Sequence, residues 1–334
     1  MQVISIVNRK GGVGKTTTAV YLSLCLAKLG KRVLTIDLDP QGNATQLLVR
    51  KTFIPDEKTI GDVLTGDVSS LKDVIVASDV GELDVAPASD RIKEVERRID
   101  RYPLRDFLLS NALKDVDYDF VVIDTSPAAD SNLVRNGIFA STHAIIPIEA
   151  ALLSMSGYVL ALEDLDTLFR HLPEDEQPEL LGPLLTRWDR RESVAVECFD
   201  YLTEHEDERF PRAKLFGTVI RTNTKLKNVV DPNELKPRKR SFDDHMALAK
   251  EVISRISRNA PAEKETKKPV KRTVKRVKKA SKTVAKKASA KRPIKAKTVK
   301  TKATKTVIKK APAKKTRRRV QRKRTVATKT ENAS

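Results

Sequence analysis

The chain has 334 residues, of which 65 are lysine or arginine and 44 are aspartate or glutamate, so its formal net charge is +21. This excess of basic residues favours a polyanionic partner. The placement of its two cysteines, Cys25 and Cys198, argues against an iron–sulfur cluster, and its four scattered histidines have no metal-ligand spacing.

A glycine-rich loop follows the first predicted strand. The apolar run at residues 2–7 predicts a buried strand, and apolar residues at helical spacing over residues 16–29 predict a helix. Three glycines between residues 11 and 14 let the backbone turn sharply and direct amide hydrogens at an anion. The start of the helix adds its positive dipole end, so residues 8–17 are predicted to bind phosphate.

The loop has the common ending of a phosphate-binding motif but not its usual beginning. In that ending, Lys15 neutralises the β and γ phosphates and the Thr16 hydroxyl ligates Mg²⁺. Arg9 stands where the pattern normally has its first glycine, and Lys10 adds a cation beside it. The predicted nucleotide-binding residues are Lys10, Gly11, Gly12, Val13, Gly14, Lys15, Thr16 and Thr17. The additional cation suggests a variant phosphate site. A site that is shared between two subunits is one such variant.

Acidic residues follow two further predicted strands, at residues 31–36 and 119–124. Asp37 and Asp39 come directly after the first strand and, two residues apart on an extended chain, point in the same direction. Asp124 ends the second strand, which resembles a Walker B strand whose carboxylate holds Mg²⁺ through water. Both acidic clusters are therefore candidates to hold Mg²⁺ together with Thr16 and to orient water.

Strands and helices alternate along the first 258 residues. Further strands are predicted near residues 83–86, 144–148, 180–186 and 215–220, and helices near residues 90–101, 154–170, 193–204 and 242–257. This alternation predicts an α/β fold with a doubly wound, mostly parallel sheet. Such sheets bind ligands in the crevice at the carboxyl ends of their strands, where Lys15 and the three aspartates are expected to meet.

Three motifs, at residues 10–17, 37–43 and 121–127, resemble those of the ParA/Soj group of the ParA/MinD ATPases, which have a deviant Walker A loop. They match in type, order and approximate spacing. Shorter similar segments lie at residues 86–89, 146–148, 184–190 and 215–220. The resemblance covers about residues 1–258 and implies a P-loop NTPase domain that uses ATP and Mg²⁺.

The resemblance also implies a role for each residue of the site. Lys10 would cross to the phosphates of the other subunit's ATP, whereas Lys15 would act in its own subunit. Asp39 would position or activate the attacking water, Asp37 would support the metal site, and Asp124 would be the Walker B carboxylate. Lys10, Lys15 and Asp39 are thus the implied catalytic residues. Because Lys10 arrives in trans, hydrolysis would be coupled to an ATP-dependent homodimer.

Residues 259–334 form a second predicted region of different composition. From residue 261 onward there are 30 lysine and arginine residues against 3 acidic ones, whereas the first 260 residues hold 35 basic and 41 acidic residues. The segment has no aromatic residue and few large apolar ones, so it is predicted to be disordered. It resembles the basic tails of linker histones and is predicted to bind the DNA phosphate backbone by counterion release.

Part of the predicted DNA-binding face lies in the first region. By the resemblance, Lys225 falls where the Soj group has a DNA-binding basic residue. The predicted face consists of Lys225, Lys227, Arg238, Lys239 and Arg240. The tail has no apolar helix face of the kind that binds membranes. Because the chain enters its first predicted strand at residue 2, without a signal peptide or transmembrane run, we expect a cytoplasmic, nucleoid-associated protein with no membrane partner.

The sequence is therefore interpreted as a ParA-type ATPase that dimerises on ATP, binds DNA nonspecifically and partitions plasmid or chromosomal DNA. The resemblance implies a slow ATPase that DNA and a ParB-like partner stimulate. Two alternatives stay open: a ParA-like protein that positions a protein cargo, and an architectural DNA-compacting protein with a slow ATPase. Intact Lys15, Asp39 and Asp124 favour a working enzyme.

Overall fold

The computed structural model describes residues 1–49, 58–89, 91–128, 131–205, 207–222 and 239–259. The predicted basic tail, from residue 260 onward, lies outside these ranges. Within them, no helix combines the length and the apolar character needed to span a bilayer.

The described ranges contain a seven-stranded sheet that is parallel except at one edge. Its strands are β1 (Gln2–Ile6), β2 (Val33–Asp37), β3 (Val76–Ala77), β4 (Asp84–Ala86), β5 (Phe120–Asp124), β6 (His143–Glu149) and β7 (Glu179–Thr186). They lie in the order β3-β4-β2-β5-β1-β6-β7, with β3 antiparallel to β4 and the other pairs parallel. The central strands are apolar runs buried throughout, as in parallel sheets covered on both faces. The predicted mostly parallel α/β sheet is confirmed.

Helices cover both faces of this sheet. In the described ranges they are α1 (Lys15–Lys28), α2 (Asn43–Leu48), α3 (Ile60–Leu64), α4 (Ile92–Ile99), α5 (Leu108–Ala112), α6 (Asn132–Phe139), α7 (Leu152–Phe169), α8 (Ser193–Glu204) and α9 (Lys239–Asn259). One apolar cluster joins α1 and α9 to the sheet and includes Leu22, Val252 and Ile4. Because alternate strand residues face opposite sides, a second cluster forms from Leu34 and Ile36 of β2 with α3, α4 and α5. The fold is therefore doubly wound.

The strand predicted at residues 215–220 is wrong. The amides of Gly217 and Thr218 donate to the carboxylate of Glu251 in α9, at 3.0 and 2.9 Å, instead of to a neighbouring strand. Backbone hydrogen bonds at both ends of the segment still hold it beside β7. A side chain thus replaces the central ladder bonds, which the apolar character of the segment does not reveal. The other predicted strands and helices are present within a few residues of their predicted ends.

The sheet brings the carboxyl ends of its central strands to one edge. β1 lies between β5 and β6, and β2 lies on the other side of β5. Asp124 at the end of β5 pairs in register with both Asp37 at the end of β2 and Ile6 at the end of β1. The glycine-rich loop leaves β1 at this point, so the loop and both aspartates meet at the crevice where such sheets bind ligands.

Gly182 in β7 packs closely against the chain that follows α8, and a substitution at this position tests that packing. Its φ is 134°, and a Cβ atom there would lie 2.0 Å from the backbone oxygen of Lys214. We expect Gly182→Ala to lower the free energy of unfolding by about 3 kcal/mol or more, because the backbone must move to relieve the clash. Urea denaturation followed by circular dichroism measures this change.

Gly217→Ala is the matched control, because it lies in the neighbouring segment where a Cβ atom has room. The nearest atom to that Cβ would be Oε1 of Glu251, at 3.8 Å. We expect this variant to stay within about 0.5 kcal/mol of the wild type. Equal losses in the two variants would contradict the packing described for β7.

Candidate functional site

The loop between β1 and α1 is shaped by two glycines in the left-handed region. The φ angle is 77° at Gly12 and 93° at Gly14, which caps the N-terminus of α1. L side chains rarely adopt these angles. The Thr18 amide donates to the Gly14 carbonyl at 2.8 Å and so begins the helix. The loop and the first turn of α1 therefore form the arrangement of amides and helix N-terminus that binds phosphate.

A cavity of about 690 Å³ lies against this loop. Its walls include the loop with the start of α1, residues 39–41 after β2, residues 126–128 after β5, residues 186–187 at the end of β7, and residues 220–222, which lie beside that end. The first four of these segments come from the carboxyl ends of β1, β2, β5 and β7, as expected for a ligand site in an open parallel sheet. The volume is that of a small-molecule or cofactor site.

Lys15 is a buried cation of this cavity. The residue is only 6% exposed, and its Nζ donates to the carbonyl oxygen of Lys10 at 3.2 Å. Burial lowers the pKa of Lys15, and the charges of Asp124 and Asp39 oppose that decrease. An anion that enters the cavity would therefore favour the charged form of the ammonium group.

Asp37 is a buried carboxylate that organises the chain after β2. Its Oδ1 accepts a hydrogen bond from the Asp39 amide at 3.1 Å, and its Oδ2 accepts from the amide and the hydroxyl of Thr45, each at 2.8 Å. Burial raises the pKa of Asp37 to about 6, although these hydrogen bonds oppose the increase. Because both oxygens already have partners, Asp37 fits a supporting position at a metal site better than a direct one.

Asp124 is the least compensated group of the crevice. It is fully buried, and neither carboxylate oxygen has a hydrogen-bond partner of normal geometry among the described residues. Burial raises the pKa of Asp124 well above its usual range, and the charge of Asp37 raises it further. The nearby Thr16 hydroxyl and the charge of Lys15 oppose the increase. A carboxylate in this position is costly without a cation.

The oxygen atoms around Asp124 fit Mg²⁺. Asp124 and Thr16 offer carboxylate and hydroxyl oxygens, and Mg²⁺ would supply the positive charge that the buried carboxylate lacks. In the described part of the chain, no group of three or more His, Cys, Asp or Glu side chains could hold a metal ion by itself. Mg²⁺ would therefore need further oxygens from a ligand, as it does when it binds together with phosphates.

Asp39 places another carboxylate on the cavity wall. The residue is 8% exposed, and its Oδ1 accepts from the Gln41 amide at 2.9 Å. The tight turn that follows, with the Gly42 amide bonded to the Asp39 carbonyl at 2.9 Å, fixes the carboxylate at the cavity. The structure thus brings Asp39, Lys15 and the two buried aspartates into one crevice, and the chemical role of each stays a prediction.

Lys10 is not among the residues that line this cavity. Its Nζ donates to the Ser154 hydroxyl of α7 at 2.8 Å and lies 3.7 Å from Oε2 of Glu149, the last residue of β6. The side chain is therefore held outside the cradle of its own chain. Its contact with the phosphates of another subunit stays a prediction.

Three residues of the cavity wall, Thr186, Arg187 and Arg221, have no role in the sequence prediction. The Thr186 hydroxyl donates to the Val13 carbonyl at 2.7 Å and so ties β7 to the loop. The guanidinium group of Arg221 is bound by both carboxylate oxygens of Asp244 in α9. The first two lie within the segment at residues 184–190 that resembles the ParA/Soj group, and Arg221 directly follows the similar segment at residues 215–220.

The predicted DNA-binding residues divide between described and undescribed parts of the chain. Lys239 and Arg240 form the beginning of α9. Lys225, Lys227 and Arg238 lie outside the described ranges. The DNA contact of all five stays a prediction.

Comparison with known proteins gives relatives that cover about three quarters of the chain. A family model described as an AAA domain matches residues 1–176. The chain is 35% identical over 260 residues to the sporulation initiation inhibitor protein Soj of Bacillus subtilis, a match that covers 76% of this chain and 98% of that protein. It is 31% identical over 266 residues to the chromosome partitioning protein ParA of Caulobacter vibrioides, with 76% and 95% covered.

Solved structures share the fold. Cobyrinic acid a,c-diamide synthase from Mycobacterium smegmatis, with bound ADP and magnesium, is 25% identical with a TM-score of 0.65, and the match covers 77% of this chain and 96% of that one. A plasmid partition protein from Borrelia burgdorferi B31, bound to AMPPNP, is 24% identical with a TM-score of 0.62 and covers 76% and 98%. The second likeness shows the fold alone.

Asp124→Asn tests the electrostatic description of the crevice. The pKa values of Asp37 and Asp124 are both raised by folding, so the stability that their protonated forms contribute is present below about pH 4 and is lost as the pH rises through the raised pKa of each group, which is about 6 for Asp37. The substitution removes one of these buried charges. We expect the variant to be more stable than the wild type by about 1–3 kcal/mol at pH 7.5, with a smaller loss of stability as the pH rises above about 4.

Chemical denaturation across this pH range, without nucleotide or metal, measures the effect. Asp73→Asn is the matched control, because Asp73 is exposed and its neutralisation removes no buried charge. An Asp124→Asn protein that is less stable than the wild type at pH 7.5, or that keeps the wild-type pH dependence, would contradict the description.

Proposed function

Because this chain belongs to the ParA/Soj family of partition ATPases, we propose that it hydrolyses ATP to ADP and phosphate and uses the reaction to partition DNA. The observation that carries the proposal is the crevice, in which an anion-binding loop and buried Lys15 lie beside Asp124, whose oxygens have no hydrogen-bond partner of normal geometry among the described residues. An anion cradle next to an uncompensated carboxylate fits a magnesium complex of a nucleotide better than a free anion.

The bound ligand is proposed to be ATP with Mg²⁺. Lys15 and the amides of residues 11–16 would hold the phosphates, and Thr16 and Asp124 would hold Mg²⁺, with Asp37 behind them. Mg²⁺ would supply charge neutralisation at the phosphates. The solved relative with bound ADP and magnesium supports this assignment.

Hydrolysis depends on positioning and on charge neutralisation, because phosphoryl transfer needs little covalent chemistry from the protein. Asp39 lies on the cavity wall with one oxygen fixed by the Gln41 amide. We assign it the task of orienting the attacking water. Lys15 stabilises the negative charge that develops on the phosphates.

Lys10 is proposed to act on the nucleotide of a second copy of the chain. In the described structure its side chain is two-thirds buried against Ser154 and Glu149, outside its own cavity. The helix that holds it, α7, also exposes Val159 and Leu160, at 47% and 42%. Exposed apolar side chains on the helix that contacts Lys10 support a subunit interface at this edge.

DNA is proposed to be bound nonspecifically by the basic tail and by the basic residues before and at the start of α9. The support is compositional, since 30 of the 74 residues from position 261 onward are lysine or arginine. A ParB-like protein is the proposed partner that stimulates hydrolysis, and the complex with DNA would place the protein at the nucleoid. Relatives that are chromosome partitioning proteins support this cargo.

Steady-state ATP turnover with and without duplex DNA tests the proposed activity. We expect Asp39→Ala to lower kcat by about 100-fold or more, because removal of a group that organises the transition state has effects of this size. Asp73→Ala, at an exposed carboxylate remote in sequence from the crevice residues, is the control and should keep wild-type turnover. An Asp39→Ala protein with wild-type kcat would refute the assigned mechanism.

Deletion of residues 261–334 tests the role of the tail. The affinity for a duplex of fixed length is measured by fluorescence anisotropy at several salt concentrations. We expect the deletion to weaken binding and to reduce the steepness of the dependence of log Kd on log salt concentration, because each lost phosphate contact lowers this slope by about 0.9.

Two controls keep the tail experiment interpretable. Thermal unfolding of the shortened chain checks that the remaining domain is folded. The same duplex at high salt gives the binding that does not depend on charge. An unchanged slope in a folded, shortened chain would show that the tail does not bind DNA phosphates.

A further inference from the structure

Arg187 has a backbone conformation that is unusual for a residue with a side chain. Its φ is 50°, and among the described residues other than glycine it shares a positive φ with Leu104 alone. Two hydrogen bonds with residues 220–222 of the cavity wall fix this turn. The Thr222 hydroxyl donates to the Arg187 carbonyl at 2.7 Å, and the Trp188 amide donates to the Ile220 carbonyl at 3.0 Å. Backbone strain that is held in this way is concentrated at functional sites.

The strained turn places the Arg187 side chain at the edge of the phosphate-binding loop. Arg187 lines the cavity, and its Nη2 lies 3.9 Å from the position that a Cβ atom on Gly12 would take. Its Nη1 donates to Oε1 of Glu149 at 2.9 Å. The guanidinium group therefore lies between Glu149 and the loop, with a donor edge near each.

The ion pair that holds Arg187 is well suited to being exchanged. Both side chains are partly exposed, at 41% for Arg187 and 27% for Glu149, and partly exposed pairs of this kind contribute little to stability. The same carboxylate is also shared with Lys10, whose Nζ lies 3.7 Å from the other oxygen. A phosphate group carries more negative charge than one shared carboxylate and matches the planar guanidinium group in geometry.

Arg221, the other arginine of the cavity wall, provides a contrast. Both oxygens of Asp244 accept hydrogen bonds from its guanidinium group, and Asp244 is only 7% exposed. A pair of this kind is costly to separate. Arg221 therefore holds the wall segment against α9, whereas Arg187 has a partner that it can leave.

We propose that Arg187 is a further nucleotide-binding residue. Without nucleotide, Glu149 holds the guanidinium group beside Gly12. When nucleotide binds, Arg187 exchanges Glu149 for phosphate oxygens in its own chain, as a second cation in cis beside Lys15. This inference rests on the proposed function, because it requires the crevice to be a nucleotide site.

Isothermal titration of the full chain with ADP and with a non-hydrolysable ATP analogue, both in Mg²⁺, tests the proposal. Arg187→Met keeps an unbranched side chain and removes the charge, and we expect it to raise Kd by about tenfold or more, the size expected for a lost charged hydrogen bond. Arg190→Met, three residues along the chain at an exposed position, is the matched control and should bind like the wild type.

Glu149→Gln tests the proposed exchange of Glu149 for phosphate by weakening the ion pair from its acidic partner. It leaves Arg187 in place and weakens its competing partner, so we expect a lower Kd than that of the wild type. In the double variant Glu149→Gln/Arg187→Met this gain should disappear, because the guanidinium group that produces it is missing. If Arg187→Met unfolds at a lower temperature, Glu149→Gln still tests the proposal, because it leaves Arg187 in place.

These measurements distinguish a failure of the proposed nucleotide site from a failure of the proposed role of Arg187. A wild-type chain that binds neither nucleotide would refute the proposed function. A wild-type chain that binds both, with Arg187→Met and Arg190→Met indistinguishable, would overturn the role of Arg187 alone. An unchanged or higher Kd in Glu149→Gln would overturn the exchange with Glu149.

Discussion

The ligand that the crevice can bind depends on how the buried negative charge of Asp124 is balanced. Asp124 is fully buried beside Asp37 in the register of two adjacent parallel strands, and its oxygens have no hydrogen-bond partner of normal geometry among the described residues. Lys15 is the buried cation near it, and burial lowers the pKa of that cation. The protein alone therefore leaves the negative charge incompletely balanced. A ligand that brings both a metal ion and phosphate groups would balance the carboxylate and the lysine together, and such a ligand stabilises the folded state that binds it.

The walls of the crevice depend on contacts between distant parts of the chain. The loop and the two aspartates lie at the carboxyl ends of β1, β2 and β5, which are paired in register. The helix α9 supports the wall at residues 220–222, because Asp244 and Glu251 hold Arg221 and the amides of residues 217–218. The helix α9 thus has two functions: it covers one face of the sheet, and it positions residues 220–222 at the cavity.

The sequence predicted the parts of the site that depend on local patterns. Glycine spacing, short apolar runs and aspartates at the ends of these runs sufficed for the loop, the parallel sheet and the meeting of Lys15 with Asp124. It did not predict the interruption at residues 215–220, because Glu251 lies more than thirty residues away. The placement of Arg187 was also missed, since it depends on a single backbone angle that contacts from residues 220–222 maintain.

The position of Lys10 supports the proposal that the nucleotide is shared between two copies of the chain. Its side chain is held by Ser154 and Glu149, outside the cavity that contains Lys15. A cation beside the phosphate loop that does not serve its own cavity is explained if it serves another. Hydrolysis would then depend on dimerisation, which is the property that a DNA-partitioning switch needs.

The most direct measurement of this claim is ATP turnover in an equimolar mixture of Lys10→Ala and Asp39→Ala chains, each inactive alone. In a mixed dimer, the Lys10→Ala chain keeps its own Asp39 and receives Lys10 from its partner, so one site is complete. If Lys10 acts in trans, the mixture should recover up to about a quarter of wild-type turnover, since half of the dimers are mixed and each has one complete site. No recovery, in a mixture shown to contain mixed dimers, would contradict the claim.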